Sequence, residues 1–115
     1  MNIILTSDHG QTDIGKNKMI NLDKFVSRSL YTTRGIGLGS LVTNMNPTKG
    51  TSSDDLYKEL KKIPNIFLYR KGDKNLTKFH LSKNRRFMEF FLEAKDGFIM
   101  GNNETLRTIG EGKNL

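Results

Sequence analysis

Hydrophobic and polar positions follow two rhythms along this chain, and the switches between them mark out the elements. The sequence opens on NIILTS, residues 2–7, where Ile3, Ile4 and Leu5 are consecutive instead of alternating. A short unbroken apolar run suits a parallel strand covered on both faces. Residues 8–18 are polar and turn-rich. Residues 19–22 (MINL) read as a second short strand, and Asp23 stands where it would cap a short helix through Phe25, Val26 and Leu30. Residues 41–43 (LVT) give another strand.

The helical rhythm is clearest in residues 52–63, SSDDLYKELKKI. Ser52 with Asp55 resembles a capping box, and Asp54 and Asp55 lie in the first turn, where the helix dipole favours negative charge. Leu56, Leu60 and Ile63 share one face, Lys61 and Lys62 complement the C-terminal end, and Pro64 stops the helix. Residues 66–69 (IFLY), 77–81 (TKFHL) and 87–94 (FMEFFLEA) read as strands. Lys95-Asp96-Gly97 is a hairpin-turn signal that would join the last of these to Phe98-Ile99-Met100. Residues 101–115 are polar and glycine-containing and read as a loose tail. The predicted class is α/β, a partial sheet with a covering helix and a C-terminal β-hairpin.

Composition narrows what such a chain can be. With 115 residues, 35% of them hydrophobic, it holds one modest domain at most. No apolar run approaches a membrane span, and the first residues lack the basic leader of a secretory signal. The absence of cysteine excludes disulfides and thiolate metal sites. A net charge of +7 permits attraction to polyanions. Together with Tyr69, Phe79, Phe87, Phe90 and Phe91, that charge raises the alternative of a small single-stranded nucleic-acid-binding module. The basic residues are scattered, however, and FMEFF is apolar enough to be core, so specific nucleic-acid binding is not expected. The glycine-rich RGIGLGS at 34–40 lacks the Lys-Ser/Thr ending and following helix of a phosphate loop, and reads as inter-strand glycines.

Candidate chemistry gathers at Asp8 and His9. They close the first predicted strand at its carboxyl end, where open α/β sheets bind ligands. Successive strand residues point to opposite faces, so both can grip one ion only where the strand breaks into a turn, and Gly10 allows that break. Carboxylate plus imidazole suits zinc and related ions. By itself the pair reads as a turn cap beside an exposed histidine, because a metal site needs several converging donors.

The wider stretch NIILTSDHGQTDI, followed by MINLDKF, resembles the ectonucleotide pyrophosphatase/phosphodiesterase family of the alkaline phosphatase superfamily, in which an apolar strand ends in Ser-Asp-His-Gly. The likeness continues in order through a strand ending near Pro47, DLYKEL (55–60), IFLYRK (66–71), KFHLSKNRRF (78–87) and LEAKDGFIM (92–100). The resemblance implies an alkaline-phosphatase-like sheet and hydrolysis of phosphodiester or pyrophosphate bonds in nucleotides or related phosphoesters. It also implies that Asp8 and His9 are two ligands of one ion in a two-zinc site. The nucleophile and the other ligands would come from segments before Met1 and beyond Leu115, since neither Thr6, Ser7 nor Thr12 matches the nucleophile's motif. His80 falls in a segment the family reads as structural, and Gln11 departs from the methionine usual after Ser-Asp-His-Gly.

On this reading residues 1–115 are an incomplete part of one phosphodiesterase catalytic domain. The chain alone is expected to be inactive, to bind zinc at most partially, and to self-associate through an unpartnered strand. A pseudoenzyme remnant is the alternative. The family implies an extracellular or cell-surface setting, with which the sequons Asn75-Leu76-Thr77 and Asn103-Glu104-Thr105 would agree.

Overall fold

Two sheets share the apolar residues of the chain. The structure, a computed structural model, describes residues 1–34 and 39–111. In chain order the strands are β1 (Met19–Asn21), β2 (Tyr31–Arg34), β3 (Val42–Pro47), β4 (Ile66–Arg70), β5 (Phe90–Ala94) and β6 (Ile99–Gly101); the helices are α1 (Ser53–Leu60) and α2 (Asn103–Glu111). β1 and β6 form a parallel pair, with Met19 opposite Ile99. The other strands make an antiparallel sheet in the order β2-β3-β5-β4. This sheet is thus inserted between two neighbouring parallel strands. The α/β class holds, and among the described residues no helix is long and apolar enough to cross a membrane.

α1 forms where its sequence signals place it. Ser52 Oγ accepts the Asp55 N–H at 3.0 Å, and the buried face carries Leu56 and Leu60. These two, with Ile63, join Met45, Phe90 and Leu92 in the larger hydrophobic cluster. Tyr69 and Phe91 alternate to the opposite face of the sheet and meet Leu76 and Phe87 in a second cluster. There Phe91 lies 5.8 Å from Phe79 and 5.7 Å from Phe87, centroid to centroid, in tilted contacts. The aromatic residues therefore pack on one another. Arg70 ties the layers together. Its Nη2 donates to Asp54 Oδ1 at 2.8 Å and its Nε to Glu89 Oε1 at 3.3 Å, joining β4, the first turn of α1 and the approach to β5. Hydrogen bonds to Asp54 and then Glu89 hold this guanidinium above its ordinary pKa.

Several expectations are corrected. Residues 2–7 form no strand: Ile3, Ile4 and Leu5 are 78%, 90% and 96% exposed. A strand patterned for burial on both faces needs neighbours, and no described segment lies against this one. Residues 77–81 are not a strand either. Asp73 Oδ1 accepts the Asn75 N–H at 2.9 Å and starts a 3-10 helix over Lys74–Phe79, which ends at His80 in the left-handed region, φ 58°. Asn21, not Asp23, caps the next segment by accepting the Asp23 N–H at 3.1 Å, and single 3-10 turns at Leu22–Lys24 and Arg28–Leu30 replace the short helix. The 95–97 turn does form, with the Phe98 N–H donating to the Lys95 carbonyl at 2.9 Å and Gly97 at φ 81°. It makes no hairpin, because β5 pairs with β3 and β4 while β6 returns to β1. The tail expected to be loose is helical over Asn103–Glu111, with the Asn102 side chain accepting the Thr105 N–H at 2.9 Å. The glycine-rich run at 34–40 lies mostly outside the described residues.

The buried strand gives a direct test. Phe90 is fully buried whereas Phe67, three registers away on β4, is 47% exposed. Phe90→Ala is expected to cost about 4 kcal/mol in urea unfolding and Phe67→Ala about 1 kcal/mol or less. Equal losses would mean that β5 is not the centre of the core.

Candidate metal centre

Asp8 and His9 sit on the exposed segment that precedes β1, and local contacts alone shape their turn. Ser7 Oγ donates to the His9 carbonyl at 2.6 Å, and the His9 N–H donates to Asp8 Oδ1 at 3.1 Å. His9 Nδ1 lies 2.9 Å from the Gly10 carbonyl. A carbonyl oxygen only accepts, so Nδ1 carries the ring proton. That leaves Nε2 facing Asp8 Oδ2 at 3.3 Å.

The donor set fits part of a zinc shell. Zinc–nitrogen and zinc–oxygen distances near 2.1 Å at a tetrahedral angle put two donors about 3.4 Å apart, close to the 3.3 Å found here. A histidine whose other nitrogen donates to a backbone carbonyl is also the arrangement that orients an imidazole toward a metal. The set is partial: among the described residues no three His, Cys, Asp or Glu side chains converge. His80 is exposed and closes the 3-10 helix far along the chain.

A second polar cluster, which the sequence did not suggest, fixes the chain just after β1. Asn21 Nδ2 donates to Asn103 Oδ1 at 2.8 Å, and the Asn103 N–H donates to Asp23 Oδ2 at 2.9 Å, so α2 begins on the β1 exit turn. Nearby, burial raises the Tyr31 hydroxyl above its ordinary pKa of 10.0, with Asp23 adding to the shift and Arg28 opposing it. These pairings join residues far apart in sequence, which no local motif announces.

The family model described as type I phosphodiesterase / nucleotide pyrophosphatase matches residues 1–113, and the chain belongs to that family. Among its relatives, the human protein named bis(5'-adenosyl)-triphosphatase ENPP4 is 29% identical over 113 residues, covering 96% of this chain and 23% of the relative. Human ectonucleotide pyrophosphatase/phosphodiesterase family member 5 is 29% identical over 106 residues, covering 91% of this chain and 21% of its own length. The solved structure of human ENPP5 superposes with a TM-score of 0.73 at 27% identity, over 85% of this chain and 25% of that one. An inactive variant of mouse ENPP5 in complex with AMP gives the same TM-score of 0.73 at 27% identity and the same coverage. The fold is that of these enzymes, alkaline-phosphatase-like. The chain spans about a quarter of the length of the relatives it matches.

Because both side chains are exposed and touch only their own turn, Asp8→Ala and His9→Ala are each expected to leave folding stability within about 0.5 kcal/mol. A larger loss in thermal or urea unfolding would show that the pair holds up the fold.

Proposed function

We propose that this chain supplies the Ser-Asp-His-Gly ligand segment, and the fold that carries it, to a metal-dependent hydrolase of phosphodiester or pyrophosphate bonds in nucleotides or related phosphoesters. The observation behind this reading is the 3.3 Å approach of His9 Nε2 to Asp8 Oδ2 on a segment within the family match. A nucleotide substrate is supported by the relatives, one named as a bis(5'-adenosyl)-triphosphatase and another solved with AMP. In the whole domain Asp8 and His9 would hold one of two zinc ions. Bound zinc polarises the phosphoryl group and steadies the leaving oxygen. Asp8 contributes a charged donor that offsets the ion's charge. His9 contributes a neutral donor whose tautomer is fixed by the Gly10 carbonyl. Ser7 holds the turn by donating to the His9 carbonyl.

Two donors fill only half of a four-coordinate shell, so the chain alone is inactive and binds zinc weakly. Its exposed Ile3-Ile4-Leu5 stretch is an unpaired strand sequence open to self-association. Purified chain is expected to hydrolyse bis(p-nitrophenyl) phosphate no faster than buffer. In a zinc titration followed by NMR, the His9 ring resonances should shift and those of His80 should not, and Asp8→Ala should abolish the shift. Its sedimentation coefficient should rise with concentration. Zinc-dependent hydrolysis lost in Asp8→Ala would overturn the inactivity, and a shift confined to His80 would overturn the ligand assignment. A monomer at every concentration would remove the self-association.

A further inference from the structure

The antiparallel sheet carries a groove of about 400 Å³ on the face away from α1, lined by four cationic side chains and one carboxylate, Glu89. Arg34 at the end of β2 and Asn46 on β3 lie on that face, since the β2–β3 register sets Arg34 opposite Asn44 and Thr32 opposite Asn46. Lys71 follows β4, and Arg85 and Arg86 come from the segment leading into β5. That segment is held over the sheet by two backbone anchors: the Glu89 N–H donates to Asn46 Oδ1 at 2.8 Å, and the Lys71 N–H donates to the Glu89 carbonyl at 2.7 Å. The four cations are therefore delivered by structured backbone.

The one acid in the lining does not neutralise them. Glu89 Oε1 already accepts from Ser53 Oγ at 2.8 Å and from Arg70 Nε at 3.3 Å, toward the α1 side. Among the described residues Arg34, Lys71, Arg85 and Arg86 make no ion pair, although twelve acidic residues are present in the chain. Cations around one concavity focus a positive potential that attracts anions. Three of the four are arginines, whose planar forks match tetrahedral oxyanions in bidentate fashion. The groove has the size of a small-molecule site. Its aromatic neighbour Phe87 is 7% exposed, so it offers no face on which a base could stack.

We propose that this groove binds a compact oligophosphate: a chain of linked phosphate groups, free or borne on a small molecule, gripped by Arg34, Lys71, Arg85 and Arg86. The site needs no metal and uses neither Asp8 nor His9, so its fate is separable from the reading above. The experiment is calorimetric titration of the 115-residue chain with sodium tripolyphosphate in EDTA, at ionic strengths of about 0.05 M and about 0.5 M. The double variant Arg85→Gln/Arg86→Gln is compared with a charge-matched control, Lys49→Gln/Lys58→Gln, two exposed lysines outside the groove. A parallel titration uses a sulfated disaccharide, and circular dichroism checks that each variant folds.

Saturable binding at low ionic strength is expected, weakened about tenfold or more by the groove variant as charged hydrogen bonds are lost. The control should change it less than twofold. Equal weakening by both variants would reduce the effect to net charge and overturn the site, as would no binding by the unaltered chain. Binding of the sulfated disaccharide with no binding of tripolyphosphate would overturn the assignment to phosphate.

Discussion

The rest of the structure depends on the burial of β5 from every side. Phe90, Phe91 and Leu92 are consecutive and all buried, which a strand allows only when both edges are paired and both faces are covered. β3 and β4 supply the edges. Phe90 and Leu92 draw α1 onto one face, and Phe91 draws the aromatic cluster and the 3-10 segment onto the other. Because successive side chains diverge, one strand serves as the shared wall of two hydrophobic clusters. Arg70, paired in register with Phe90 and stacked 5.7 Å from its ring, then closes the corner where α1 meets the sheet.

How much of this was legible depends on whether the signal was local. α1 was readable because capping, dipole complementarity, an apolar face and a stopping proline all lie within fourteen residues of one another. β4 and β5 were readable from their apolar runs. The same kind of run misled at Ile3-Ile4-Leu5, where apolar sequence states a need for cover and not its presence. Residues 77–81 misled for the opposite reason: the Asp73 cap, a short-range hydrogen bond, overrides the strand-like TKFHL. Lys95-Asp96-Gly97 gave the turn and not the pairing, since the partner of β6 is β1, at the other end of the chain.

The candidate metal ligands divide in the same way. Asp8 and His9 became candidates through a four-residue motif in its colinear setting, and the structure adds the distance between the imidazole and the carboxylate. The Arg34, Lys71, Arg85 and Arg86 groove was illegible. Its members lie in separate stretches, and in sequence they read as scattered surface charge. Only the register of β2 on β3 and the anchoring of Glu89 to Asn46 bring them to one face.

The parallel β1–β6 pair has a consequence for how the molecule opens. Its contacts, and those that seat α2, join residues eighty apart in sequence, as between Asp23 and Asn103, while each strand contributes three residues. Such long-range contacts are costly in loop-closure entropy and assemble late. The segment bearing Asp8 and His9 leads through a 3-10 turn at Lys16–Lys18 into β1, so it hangs from this long-range joint. An ion that bridged this segment to surrounding structure would therefore act as a clasp, raising amide protection in β1 and β6 well before it altered the antiparallel sheet.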